Sequence, residues 1–78
     1  MIFDRIEWDD DNLDHATRRL TVEEIEQAIW NASRIIPHRT HSDRGLFRSS
    51  TDGGKLVVVI VQIVHDGVRP ITGWETTR

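Results

Sequence analysis

The sequence has no cysteine, so no disulfide can stabilise the fold and no thiolate can ligate a metal ion. This absence suits a reducing compartment, and we expect a cytoplasmic protein. A long hydrophobic run is also missing, because the main apolar stretch, Leu56 to Val64, is far shorter than the roughly 20 residues of a membrane-spanning helix. The first residues lack the basic region and apolar stretch of a secretory signal. We therefore expect no membrane partner.

Aromatic residues are few, with three tryptophans, two phenylalanines and no tyrosine among 78 residues. A chain of this length predicts a single domain over residues 1–78. Its core can contribute only about 3–5 kcal/mol of net stability. So small a core favours self-association or binding to a partner protein.

Acidic and basic side chains are unevenly distributed along the chain. Residues 1–32 contain nine acidic and three basic side chains, a net charge of −6, whereas residues 33–78 contain seven basic and four acidic ones, a net charge of +3. The overall charge of −3 therefore hides a dipolar sequence, which indicates an anionic partner on the basic side.

Two helices are predicted in the acidic part. Asp9 to Asp11 suit a helix start, because aspartate accepts from free backbone N–H groups, and this helix is expected to continue to about residue 19. Thr21 and Glu24 form a capping box that begins a second helix ending near Trp30-Asn31. Its apolar stripe has helical spacing: Val22, Ile25, Ala28 and Ile29.

The basic part has the pattern of strands separated by glycine turns at Asp52-Gly53-Gly54 and Asp66-Gly67. We predict an α+β fold, in which an N-terminal strand and two helices precede a four-stranded antiparallel meander with the helices on one face. The position of the first strand in the sheet stays open. The predicted strands are Ile2–Trp8, Ser33–Arg39, Leu46–Ser50, Lys55–His65 and Val68–Trp74. Pro37 interrupts the second of these, which predicts an edge strand or a bulge there.

The strand Lys55–His65 is apolar on both faces, which predicts a central strand that is covered on both sides. Two short helices can cover one face. The other face then requires long side chains from neighbouring strands, a second subunit or a different protein.

Several motifs in this chain resemble those of a known family. Ile6-Glu7-Trp8-Asp9, Asn12 and His15 match the pattern (Phe/Ile)-x-Trp-Asp-x-x-Asn-x-x-His. The acidic second helix and the last two strands match as well, through Glu23–Glu26, Gly54–Val59 and Val68–Thr72. The chain thus resembles the BrnT-type toxins, which are related in fold to RelE-type ribonuclease toxins. The resemblance implies a compact α+β protein that cleaves RNA without a metal or other cofactor and is neutralised by an antitoxin protein.

The sequence departs from this family at three places. Arg18-Arg19-Leu20 replaces a His-Gly junction, Trp74 stands about where a second arginine is common, and the given sequence ends at Arg78 where many members continue into a basic helix. These departures bear on catalysis more than on the fold. They support an alternative from another class, a catalytically inactive toxin-like module that binds protein. A small homodimeric protein is a further alternative.

Cleavage of RNA by attack of a 2′-hydroxyl requires a base, an acid and cations that stabilise the developing charge. Guided by the resemblance, we predict that Arg44, Lys55 and Arg69 bind phosphate and that His41 is the base. Arg39, Arg48 and Trp74 are the predicted RNA-binding residues, with Trp74 expected to be the most exposed tryptophan. For any single cation, the simpler interpretation is a solvated charge at a strand edge.

Other polar residues have simpler explanations. His38 and His41 could both ligate a metal, but nearby acids are sparse, and we predict no metal site. Asn12 and His15 lie on one side of the first helix and could flank the active surface. The favoured interpretation is that Asn12 caps the helix and that His15 packs against a tryptophan.

Overall fold

The computed structural model describes residues 5–77, and their two helices and mixed sheet confirm the predicted α+β class. None of the helices in these residues is long and apolar enough to cross a membrane. In chain order, the elements are β1 (Arg5–Ile6), α1 (Asp10–Ala16), α2 (Val22–Asn31), β2 (Ile36–Pro37), β3 (Arg44–Ser50), β4 (Leu56–Val64) and β5 (Gly67–Glu75).

The five strands form one sheet in the order β1-β5-β4-β3-β2. The last four strands form an antiparallel meander. Strand β1 adds to the free edge of β5 in the parallel direction, with Arg5 opposite Gly67 and Ile6 opposite Val68. This pairing gives the position of the first strand in the sheet, which the sequence left open. Strand β1 is shorter than the predicted strand Ile2–Trp8, whose residues 2–4 lie outside the described part of the chain.

Both helices begin with a capping box, in which the first residue and the residue three positions later satisfy each other's backbone N–H groups. The box formed by Thr21 and Glu24 was predicted and is confirmed. A second box joins Asp9 to Asn12 at the start of α1. Helix α1 ends at Ala16, earlier than predicted, and a turn over the next residues brings Leu20 into the core.

Strand β2 is the other element that is shorter than expected. The predicted strand Ser33–Arg39 is reduced to Ile36–Pro37, paired with Leu46 and Gly45 of β3. Proline has no backbone N–H and cannot donate to a strand ladder, which accounts for its position on the sheet edge.

Strand β4 is central in the antiparallel part of the sheet, as its composition predicts. On one face, Val57, Val59 and Val61 are buried in the core. Buried residues from both helices and the neighbouring strands complete this core, namely Ala16, Leu20, Ile25, Ala28, Ile29, Ala32, Phe47 and Val68.

The opposite face of β4 is covered in part by side chains of the neighbouring strands. Val58 is 4% exposed, and its cross-strand neighbours are Arg48 and Trp74. Long side chains from neighbouring strands, one of the three possibilities named above, therefore cover the middle of this face. Leu56, at the start of β4, remains 47% exposed.

The two glycine-containing turns use their glycines differently. In the β3–β4 turn, Gly54 has a φ of +91°, which favours glycine. In the β4–β5 turn, the residue with positive φ is Asp66, at 62°, which aspartate tolerates. Gly67 is needed for a different reason, because a Cβ at this position would collide with the carbonyl oxygen of Arg5. Its missing side chain allows β1 to pair with β5.

Candidate functional site

A cleft of about 280 Å³ lies between α1 and strands β3, β4 and β5. Arg44 is opposite Gln62 and Gln62 is opposite Arg69, so these three side chains lie on one sheet face in neighbouring strands. The residues that line the cleft are Asp11, Asn12, His15, Arg44, Gln62, Arg69, Pro70 and Ile71. The structure therefore brings together two of the three predicted phosphate-binding cations, Arg44 and Arg69.

Arg69 is held in place by carboxylates from the first part of the chain. Both of its terminal nitrogens donate to the carboxylate of Asp9, and one lies 3.9 Å from Glu7. The hydrogen bond with Asp9 raises the pKa of Arg69 and lowers that of Asp9. The charge of Arg69 is thus largely compensated within the protein, and its guanidinium is fixed in orientation.

Asn12 connects the cleft wall to the edge of the sheet. It is 5% exposed, and its side-chain amide donates to the carbonyl oxygens of Glu7 and Pro70, each at 3.0 Å. Its Oδ1 accepts from the backbone N–H of Asp9 at 2.7 Å. The prediction that Asn12 caps the helix is confirmed. Because both amide hydrogens and the oxygen have partners, Asn12 acts as a structural residue in the cleft wall.

Arg44 differs from Arg69 in having no ion pair with any residue in the range 5–77. It is half-buried, and its Nε is buried with no hydrogen-bond partner in the same range. A buried donor without a partner costs free energy. The carboxylate of its neighbour, Asp43, accepts from Gln62 Nε2 at 3.0 Å instead.

His15 also lines the cleft. It is exposed, and no ring contact with Trp8 or Trp30 is found among residues 5–77, so the expectation that it packs against a tryptophan stays a prediction. Trp8 donates to Glu26 at 3.0 Å and packs against the core. The three-residue spacing of Asn12 and His15 on one helix side was the sequence signal for a histidine at this surface.

Lys55 lies apart from the cleft. It precedes β4, and the six steps along the strand from Leu56 to Gln62 span about 20 Å of extended chain. Its ammonium donates to Glu24 Oε2 at 2.5 Å, which raises the pKa of Lys55 and lowers that of Glu24. The three cations expected to bind phosphate together therefore do not form one cluster.

The remaining predicted site residues lie outside the cleft lining. His41 precedes β3, with its ring centroid 4.9 Å from that of His38, and Arg39 is exposed between these histidines. Arg48 and Trp74 are the cross-strand neighbours of Val58, on the same sheet face as Arg44 and Gln62 but nearer the start of β4. Trp30, 41% exposed, is more exposed than Trp74, so that prediction is wrong. Within residues 5–77, no three histidine or acidic side chains form a group suited to a metal ion.

Folding pairs acidic and basic side chains that are far apart in the sequence. Asp9 binds Arg69 and Glu24 binds Lys55, so the charge separation along the sequence is partly neutralised in the folded molecule.

These two pairs predict that the protein is less stable in acid. The pKa of Asp9 and that of Glu24 are lowered, chiefly by hydrogen bonds from Arg69 and Lys55 respectively. A carboxylate with a lowered pKa stabilises the fold above the ordinary carboxyl range, near pH 4, and this contribution is lost as pH falls through the lowered values. We expect the urea midpoint of unfolding of the unaltered protein to decrease between pH 5 and pH 3, and to decrease by more than that of the double variant Asp9→Asn, Glu24→Gln. An equal decrease in both proteins would contradict this assignment.

Comparison of this chain with protein-family models, with curated proteins and with solved structures found no match.

Proposed function

We propose that the cleft binds the phosphate backbone of single-stranded RNA and that the chain is a toxin-like endoribonuclease, as its resemblance to BrnT-type toxins implies. The observation that carries this proposal is the half-buried guanidinium of Arg44, which has no carboxylate partner in the described chain and lies in a cleft with His15 and Arg69. Arginine donates two parallel hydrogen bonds to phosphate oxygens. A phosphate at Arg44 would compensate its positive charge.

His15, Arg44 and Arg69 have distinct roles in the proposed reaction. His15 removes the proton of the 2′-hydroxyl, a role that histidine can perform near neutral pH. The 2′-oxygen attacks the adjacent phosphorus and forms a P–O2′ bond while the P–O5′ bond breaks. The products are a 2′,3′-cyclic phosphate and a 5′-hydroxyl, whose oxygen takes a proton from water. Arg44 stabilises the negative charge that develops on the phosphorane oxygens. Arg69, which Asp9 holds in place on the other side of Gln62, contributes a second positive charge to this stabilisation.

The proposed partners follow from the same resemblance. An antitoxin protein holds the nuclease silent, and RNA in the cytoplasm is the substrate. The net negative charge of the chain is unusual for a protein that binds RNA. Asp9 and Glu24 engage Arg69 and Lys55, whereas Arg44 has no ion pair within residues 5–77.

Induced expression in bacteria tests this proposal. We expect growth arrest with fragmented RNA for the unaltered chain, and normal growth for Arg44→Ala. The matched control is Arg18→Ala, which removes an equal charge from an exposed arginine outside the cleft and should retain the arrest. Growth arrest by Arg44→Ala equal to that of the unaltered chain would contradict the proposal, provided that both proteins accumulate to the same level.

The sheet face that carries Val58 favours a second candidate function, a catalytically inactive module that binds protein. Leu56 is well exposed at the start of β4 on this face, and Ile60 and Trp74 are half-buried farther along it. Normal growth together with a stable complex with a partner protein would support this candidate. Self-association without either effect would support the homodimer.

A further inference from the structure

The polar side chains of the cleft differ in how much hydrogen-bonding capacity they retain. Asn12 is saturated, and Arg69 is bound by Asp9. Gln62 is half-buried between Arg44 and Arg69 in the strand order, and its side chain has one hydrogen bond, from Nε2 to Asp43 Oδ2. One end of this amide is therefore engaged while the other has no partner within residues 5–77.

Asp43 fixes which end of the Gln62 amide is engaged. The carboxylate of Asp43 is ionised at neutral pH, because the hydrogen bond from Gln62 lowers its pKa, and an ionised carboxylate only accepts hydrogen bonds. The amide must therefore direct its NH₂ group toward Asp43 and its carbonyl oxygen away from it. The backbone of Asp43 is itself held by β4, since its carbonyl oxygen accepts from the N–H of Ile63. Gln62 lines the cleft and Asp43 does not, so the free carbonyl oxygen belongs to the cleft side.

A carbonyl oxygen can only accept hydrogen bonds, and this limits the bases that it can recognise. Adenine, cytosine and guanine each present an exocyclic amino group, which donates. Uracil has its N–H between two carbonyl groups, where an approaching amide oxygen meets two repelling oxygens. An acceptor next to Arg44 would therefore distinguish nucleotides by the presence of an amino group on the base.

We infer that Gln62 reads the base of a bound nucleotide through its Oε1, selecting bases with an exocyclic amino group, and that Asp43 is the positioning residue that sets this preference. The inference rests on the proposed function, because it places the nucleotide's phosphate at Arg44. It adds a specificity determinant that is separate from phosphate binding.

Binding of two matched RNA tetramers tests this inference. Both carry 2′-O-methyl groups, which prevent attack by the 2′-oxygen. One contains adenosine and the other contains purine riboside, which lacks only the amino group. We expect the unaltered protein to bind the adenosine tetramer about fivefold more tightly by fluorescence anisotropy, which is the scale of one hydrogen bond.

Two variants separate the roles of Gln62 and Asp43. Gln62→Met keeps the length of the side chain but removes the acceptor, and we expect the ratio of the two Kd values to fall to about one while the purine riboside tetramer binds as before. Asp43→Asn has a side chain that can also donate a hydrogen bond. The Gln62 amide can then rotate by about 180° and present its NH₂ group to the cleft. The ratio of the two Kd values should therefore fall toward one in this variant as well. Asp43→Asn also serves as the test if Gln62→Met does not fold.

The outcomes distinguish this inference from the proposed function. Equal affinities of the unaltered protein for the two tetramers, or a preference that persists in both variants, would overturn the inference while leaving phosphate binding intact. If neither tetramer binds, or if Arg44→Ala binds both as tightly as the unaltered protein does, the proposed function and this inference are overturned together.

Discussion

Replacement of His15 with alanine is expected to lower the rate of RNA cleavage by about 100-fold or more, the usual effect of removing a general base. RNA binding should change little, because His15 is assigned to proton transfer and the phosphate contacts come from Arg44 and Arg69. The substitution lies on an exposed helix position and should leave the fold intact. Single-turnover cleavage of a short single-stranded RNA, together with its Kd, measures the two effects separately.

Other histidines in the chain provide matched comparisons for His15. His65 is exposed in the β4–β5 turn, and His65→Ala should cleave RNA at the rate of the unaltered protein. His41→Ala distinguishes the base predicted from the sequence from the base that the structure favours. Loss of cleavage in His41→Ala with activity retained in His15→Ala would show that the structural assignment is wrong.

Replacement of Asn12 with alanine is expected to have the largest effect on stability. The change removes three hydrogen bonds and leaves the Glu7 and Pro70 carbonyls and the Asp9 N–H of the capping box without this partner. The loss of a cap and of buried hydrogen bonds predicts a decrease of about 2–4 kcal/mol in the free energy of unfolding. This approaches the stability of about 3–5 kcal/mol expected for so small a domain, so a large unfolded fraction should appear at 25 °C.

Urea unfolding followed by tryptophan fluorescence measures this loss of stability. Asp14→Ala is the control, because Asp14 lies on the same helix, is exposed, and has only a distant ion pair with Arg18 at 3.8 Å. The variant Asn12→Asp should be intermediate, since it retains the accepting oxygen but not the donating NH₂ group. A change below about 0.5 kcal/mol in Asn12→Ala, the range of ordinary surface substitutions, would contradict the structural role of Asn12.

Much of the fold could be predicted because its signals are local. The capping box of α2 and its apolar stripe lie within ten consecutive residues, and the turns at Asp52–Gly54 and Asp66–Gly67 mark the ends of the long strands. Strand β1 could not be positioned in this way. Its parallel pairing with β5 depends on Gly67, some 60 positions along the chain, and two paired residues carry no periodicity.

The candidate site could be predicted only for residues whose cross-strand partners are set by the turns between the strands. Arg44 and Arg69 come together because both pair with Gln62 of β4. Lys55 is also basic and near a turn, but it lies at the opposite end of the same strand, beside the start of α2. Neither the separation of Lys55 from the cleft nor the binding of Asp9 to Arg69 has a sequence signal, because each depends on how the helices pack against the sheet.

The central claim is that the unpaired guanidinium of Arg44 binds an RNA phosphate. The most direct measurement is an NMR titration of the ¹⁵N-labelled protein with a short 2′-O-methyl RNA, following backbone amides and arginine Nε–H groups at low salt. We expect the Nε–H resonance of Arg44 to shift with saturation, together with the amides of His15 and Gln62. An unchanged Arg44 resonance, with the shifts confined to Leu56 and Trp74 on the opposite part of the sheet or absent altogether, would contradict the account.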